Sequence, residues 1–132
     1  MSSIVPLRFQ AFQKQNCKCF YCGLPVWVKK GKKFANRYQL PVKRAAYLKC
    51  TAEHLVARQD GGADTAENVV AACLWCNKRR HHCRPHKAPD ANTYKRRVEA
   101  LIARGNWHPA APHILHYRQK QKPNDAPQRP NQ

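Results

Sequence analysis

Cys19-Phe-Tyr-Cys22 and Cys73-Leu-Trp-Cys76 repeat one C-x-x-C spacing across a gap of fifty residues. Two intervening residues let both thiolates reach one ion from a tight turn, and two such turns complete a tetrahedral four-sulfur shell. The gap is longer than in a compact zinc ribbon, so the ion is expected to join distant parts of the chain. It would then carry a large share of the folding free energy. A closed shell leaves no open coordination position, so a Zn2+ on Cys19, Cys22, Cys73 and Cys76 is assigned to structure; redox dithiols are the competing reading. Cys17, Cys50 and Cys83 remain as buried or free thiols.

Around these pairs the charge is unevenly spread. The 132 residues suffice for one domain and carry 25 Lys plus Arg against 7 Asp plus Glu, a formal net charge of +18. Such an excess points to a polyanionic partner, because each cation facing a phosphate releases a condensed counterion. Residues 1–50 hold eleven Lys or Arg and no acid, whereas residues 51–76 hold Arg58 alone against Glu53, Asp60, Asp64 and Glu67. Residues 77–104 are basic again. An acidic island between basic blocks suits a cation site inside a nucleic-acid footprint, although a solvated acidic loop gives the same pattern. The longest apolar run, Val69 to Trp75, is too short to span a bilayer, and Met1 to Phe9 lacks the apolar core of a secretory signal. Metal-type cysteine spacing without a signal leads to the expectation of a cytoplasmic protein with no membrane contact, not a secreted disulfide miniprotein.

Periodicity and punctuation place the elements. Pro6 to Gln15 is expected to be a short helix presenting Leu7, Phe9 (or Ala11) and Phe12 to the core. Pro25 to Val28 and Ala45 to Thr51 are strand candidates, and Lys29 to Lys33 around Gly31 reads as a basic hairpin tip. Leu55 to Glu67, with Gly61-Gly62, is a loop between Glu53-His54 and a second strand at Val69 to Ala72. Leu74 to Arg84 is helical and stopped by Pro85; Thr93 to Arg104 forms another helix, capped by Asp90 or Asn92 and closed by Gly105. Domain boundaries follow: residues 1–105 as the folded unit with its terminal helices, and 106–132 as a Pro-rich basic tail. Roughly the last fifteen residues are expected to be disordered, while Trp107, Ile114, Leu115 and Tyr117 can pack back. Trp27, Trp75 and Trp107 read as core or zinc-clip packing rather than as base-stacking platforms.

The chemistry-bearing stretch runs Ala52-Glu-His-Leu-Val-Ala-Arg-Gln-Asp-Gly-Gly62, then Glu67-Asn-Val-Val70, then Cys73-Leu-Trp-Cys-Asn-Lys-Arg-Arg-His81. An acid followed by His, a Gly-Gly loop, an Asn before a short apolar strand, and Cys-x-x-Cys-Asn together resemble the HNH endonuclease family, in the subgroup with two C-x-x-C pairs. The resemblance covers about Cys19 to Arg84. It implies an α+β fold, a small zinc-stapled ββα-metal (His-Me finger) domain with flanking helices, gripping one divalent cation.

Residue by residue, the resemblance implies that His54 is the general base that deprotonates water; an imidazole can take up a proton near neutral pH. Glu53 stands where the family has Asp or His as a metal ligand. It can equally be an exposed acid before a loop, and it shares one site with His54 only if the strand ends or bends there. Asn68 matches the position that fixes the loop and orients the catalytic His, which overlaps with an ordinary turn role. Asn77 matches a side-chain-oxygen metal ligand, and His81, one helical turn on, a further ligand or phosphate contact. The implied catalytic ion is Mg2+ or Mn2+, with Ni2+ or Zn2+ also compatible. The implied reaction is phosphodiester hydrolysis giving a 5′-phosphate and a 3′-hydroxyl.

Lys78, Arg79, Arg80 and Arg84 follow the site on one helix and are expected to hold backbone phosphates, with Lys29, Lys30, Lys32 and Lys33 gripping from the tip. The expected partner is DNA, double-stranded, met by a monomer or a homodimer. The rival reading is a non-catalytic zinc-stapled nucleic-acid-binding module, which needs neither Glu53 nor His54.

Overall fold

The computed structural model describes residues 4–82 and 88–121. Its centre is a two-stranded antiparallel ribbon, β1 (Cys50–His54) and β2 (Val69–Cys73), paired from Cys50 opposite Cys73 to His54 opposite Val69. A lone ribbon is marginal in water, so it depends on what covers it. Helix α1 (Ile4–Lys14) packs on both strands, and α4 (Leu74–His82) follows β2 directly and contacts both strands too. The antiparallel pair, the intervening loop and the helix after it are the ββα unit expected from the sequence.

The flanks differ from expectation in three places. Lys29 to Lys33 is no hairpin tip: Lys30 takes the left-handed conformation (φ 62°), and α2 (Gly31–Tyr38) begins immediately after it. Phe34, Ala35 and Tyr38 recur at helical spacing there, and that apolar face outweighs the glycine. Gly31 is required for another reason, since a Cβ would lie 2.7 Å from the Trp27 ring, which is pinned by Nε1 donating to the Ala45 carbonyl. Pro25 to Val28 forms only isolated bridges, Lys18 with Pro25 and Trp27 with Lys49. Ala45 and Ala46 end a short helix, α3 (Val42–Ala46), rather than opening a strand, consistent with alanine's helix preference.

Helix α5 (Ala91–Ala103) is capped by Asp90, whose carboxylate accepts from the Thr93 N–H at 3.1 Å, and Gly105 (φ 73°) follows its end. Beyond it, α6 (Ala111–Gln121) extends helix through residues 118–121, part of the stretch expected to be disordered. Ile114 is fully buried and Tyr117 meets Tyr38 edge-on at 5.0 Å, while Leu115 stays exposed. Tyr21, Leu48, Val98 and Ile114 tie these helices into one core. On α1, Ala11 rather than Phe9 is buried. Cys83, Arg84 and Pro85 lie outside the described residues, as does the end of the tail. No described helix is long and apolar enough to cross a membrane.

Candidate functional site

Cys19 and Cys22 sit on a turn beside the ribbon; Cys73 ends β2, and Cys76 lies in the first turn of α4. All four sulfurs are buried and lie within 4.8 Å of one another. The Cys22 and Cys73 sulfurs are 3.9 Å apart, close to the edge of about 3.8 Å expected for a tetrahedron of sulfurs each about 2.3 Å from one ion. Backbone N–H groups of Tyr21 and Cys73 donate to the Cys19 sulfur at 3.3 Å, that of Cys76 to the Cys73 sulfur at 3.3 Å, and Trp107 Nε1 to the Cys76 sulfur at 3.2 Å. Such donors suit sulfurs that carry negative charge. Burial alone raises the Cys19 thiol, yet hydrogen bonds from Cys22, Cys73 and Cys76 outweigh it and hold that thiol well below its usual value. Burial, and then hydrogen bonds with Cys19 and Cys22, push Cys73 and Cys76 up. Without a cation the cluster favours one thiolate; a divalent ion removes that limit, so the donor set fits a zinc site.

Strand β1 ends at His54, which separates the paths of two consecutive side chains. Glu53 is buried, with its carboxylate almost wholly out of water. Its Oε2 accepts from the Tyr21 hydroxyl at 2.8 Å and from Arg80 Nη1 at 2.8 Å. Oε1 is 3.2 Å from His81 Nε2. Arg80 Nη1 also donates to the Tyr21 hydroxyl at 3.2 Å, and the guanidinium reaches three backbone oxygens: Nη1 on His54 (3.1 Å), Nη2 on Leu55 (3.0 Å) and Nε on Pro89 (3.0 Å). Burial disfavours its charge, but the bond to Glu53 outweighs this and keeps the guanidinium firmly protonated. Glu53 is therefore not an exposed acid before a loop. Nor is Arg80 an exposed phosphate contact, because its fork is enclosed and committed to the carboxylate and to the end of β1.

His54 turns instead toward the loop, where Nε2 meets Asp64 Oδ1 at 2.7 Å. Arg58 clasps the same carboxylate through two 3.1 Å bonds. The bonds to His54 and then Arg58 hold Asp64 below the usual carboxylate range. A carboxylate can only accept, so Nε2 of the neutral imidazole carries the proton and Nδ1 keeps the open lone pair. Asn68 clips the loop shut: its Oδ1 accepts from the Val56 N–H at 2.9 Å, and its Nδ2 donates to the Val56 and Ala63 carbonyls, each at 3.0 Å. Gly62 belongs to this clip, since a Cβ there would fall 1.7 Å from the Val56 oxygen and 2.8 Å from Asn68 Nδ2.

On α4, Asn77 Nδ2 donates to Thr51 Oγ1 at 2.9 Å and lies 3.4 Å from the Ala52 carbonyl, so its amide is engaged with β1. His81, one turn later, meets Glu53. One carboxylate oxygen, one amide oxygen and one imidazole form a set suited to a hard or borderline divalent cation. Among the described residues, only the four cysteines gather three or more His, Cys, Asp or Glu donors, so this second site is sparse. Lys78 is exposed, and the exposed Arg79 lies over the Trp75 ring at 3.7 Å; Lys29, Lys30, Lys32 and Lys33 are all exposed, just before and within the first turn of α2, remote in sequence from α4.

Sequence patterns do not single out Asp64, Tyr21 or Thr51, whereas Trp107, read as zinc-clip packing, does reach the Cys76 sulfur. A base histidine needs an orienting partner, which signals an acid in the loop. Spacing alone does not choose Asp64 over Asp60 or Glu67.

Comparison with known proteins agrees with this geometry. The HNH endonuclease family profile matches residues 19–83. The CRISPR-associated endonuclease Cas9 of Corynebacterium diphtheriae is 35% identical over 72 residues, 54% of this chain and 5% of that protein. The chain thus spans about a twentieth of that relative. No solved structure gives a significant match. Through residues 19–83, with its ββα unit and paired cysteine turns, the chain belongs to the HNH endonuclease family.

Proposed function

We propose that this chain hydrolyses phosphodiester bonds of double-stranded DNA, with His54 as general base and Zn2+ as a structural ion on Cys19, Cys22, Cys73 and Cys76. The carrying observation is the 2.7 Å contact between His54 Nε2 and Asp64, which leaves Nδ1 as the free acceptor. In this reading Nδ1 takes a proton from water as its oxygen attacks phosphorus in line and the bond to the 3′ oxygen breaks. Asp64 stabilises the imidazolium that results. Asn68 holds the loop so that the ring cannot swing away.

Glu53, Asn77 and His81 would hold Mg2+ or Mn2+, with Ni2+ or Zn2+ as substitutes, and the ion supplies neutralisation of charge on the phosphate and leaving oxygen. Because Arg80 already balances part of the Glu53 charge, the three side chains alone would hold such a cation only weakly. Lys78 and Arg79 are suited to the flanking phosphates.

One feature favours a second reading, a zinc-stapled nucleic-acid binder: Glu53 already has a buried counter-charge and needs no cation for its own stability. Supercoiled plasmid incubated with Mg2+ or Mn2+ separates the two. The nuclease reading expects nicking that His54→Ala abolishes while DNA retention in a filter assay persists. A wild type that retains DNA but cuts it under no divalent metal leaves the binder.

A further inference from the structure

Away from the ribbon, helices α1, α2 and α6 surround a cleft of about 1280 Å3. That exceeds the roughly 300–1,000 Å3 typical of small-molecule pockets, which suits a polymer better than a metabolite. Two aromatic pairs line it. Phe9 and Phe12 stack on α1 with centroids 6.0 Å apart and planes at 25°, and Phe34 and Tyr38 lie 4.8 Å apart on α2. Phe9 is 45% exposed, and among the described residues its aromatic contact is Phe12 on its own helix.

The cleft is as one-sided in charge as it is aromatic. Seven of its lining residues are Lys or Arg and none is Asp or Glu. Lys29, Lys30, Lys33 and Arg37 come from the entry to α2, and Arg118 from α6. Arg8 lines the cleft with Nε buried and without a hydrogen-bond partner among the described residues. A purely apolar peptide has no use for seven cations. A duplex keeps the faces of its bases stacked inside and offers phosphates and groove edges, leaving the rings without a π-face to stack on. A strand with free bases uses both, since every base has a π-face to lay on an aromatic ring and every linkage a charge to place on a cation.

We infer that this cleft is a binding site for an unpaired stretch of nucleic acid, its bases on the Phe9–Phe12 and Phe34–Tyr38 rings and its phosphates on Lys29, Lys30, Lys33, Arg37 and Arg118. The inference rests on the nucleic-acid reading above and extends it: the preferred substrate carries a single-stranded segment beside the duplex that His54 addresses.

The test uses the full zinc-loaded chain and a fluorescein-labelled dT15 in anisotropy titrations. Phe9→Ala is expected to weaken dT15 binding about 5- to 150-fold, the range for losing one base–aromatic stack. Thermal melting and zinc content should stay as in wild type, because Phe9, 45% exposed, lies outside the buried core. The pair Lys30→Ala and Lys33→Ala should reduce the slope of log affinity against log salt by about 1.4, at about 0.7 for each phosphate left without its cation. Photocrosslinking with a bromodeoxyuridine-substituted dT15 should label peptides from α1 and α2. Undiminished dT15 affinity in Phe9→Ala, or crosslinks confined to residues 74–82, overturns the proposal. So does a Phe9-dependent change in sedimentation without any change in dT15 affinity, which assigns the cleft to a second copy. Plasmid nicking that is lost with His54→Ala, alongside dT15 binding indifferent to Phe9, sinks this site and leaves the nuclease reading standing. Phe9-dependent dT15 binding without nicking does the reverse.

Discussion

Arg80→Met removes one partner of an ion pair whose side chains are 4% and 3% exposed and whose charged atoms are 2.8 Å apart. The Glu53 carboxylate would stay buried with only Tyr21 and His81 beside it, and the carbonyls of His54, Leu55 and Pro89 would each lose a donor. Stripping one member from a buried pair costs about 3–5 kcal/mol, much of it from the bare charge left behind. Against a total stability of about 5–15 kcal/mol, that brings the domain near its limit at room temperature. Urea unfolding of the zinc-loaded protein, followed by tryptophan fluorescence and circular dichroism, measures the loss. Arg80→Lys keeps the charge but loses the planar fork, and should fall between wild type and Arg80→Met. The double variant Glu53→Gln with Arg80→Met should be more stable than Arg80→Met alone, since no unpaired carboxylate then remains. An Arg80→Met protein within about 1 kcal/mol of wild type, below any cost expected for a broken buried pair, would refute the reasoning. A double variant no better than the single one would refute it as well.

Cys73→Ser, or a strong chelator, should release the structural ion and abolish the cooperative thermal transition, because structural zinc supplies about 10–16 kcal/mol, comparable to the whole fold; metal analysis and thermal circular dichroism check it. Asn68→Ala removes three hydrogen bonds across the loop and is expected to cost about 1–3 kcal/mol, with faster proteolysis between residues 56 and 64 and reduced nicking. His108 is buried, and that burial pushes its imidazole down to about 4. The folded form therefore binds fewer protons than the unfolded chain below about pH 6.5, and stability present above that pH is lost as pH falls toward 4. The loss is about 3 kcal/mol, and His108→Gln should flatten it in unfolding measured across that range.

The ββα centre is legible in the sequence because its signals are local and paired: two matched cysteine turns, Gly-Gly against Asn68, and a helix read directly from Leu74 onward. The flanks are less legible. Lysines with one glycine read as a tip, yet the Trp27 ring packed on Gly31 and the apolar face of Phe34 and Tyr38 make a helix. Tertiary packing decides what local composition leaves open. The same holds at the site. Glu53, Asn77 and His81 stand out in the sequence, and the structure brings Glu53 and His81 together. That Arg80 turns inward is not visible there, because an arginine beside Lys78 and Arg79 looks like its neighbours until a buried acid is found 27 residues away. Asp64 is equally hidden among the loop acids, since only folding shows which of them reaches the imidazole.

Tyr21 stands between Cys19 and Cys22 and ends on the Glu53 carboxylate. A single phenol thus couples the sulfur staple to the acid of the second site. If the four thiols hold an ion as proposed, their oxidation or its theft by a competing chelator would be felt one side chain away at Glu53, and the proposed cleavage should fall silent in oxidising or metal-starved surroundings rather than run with relaxed control.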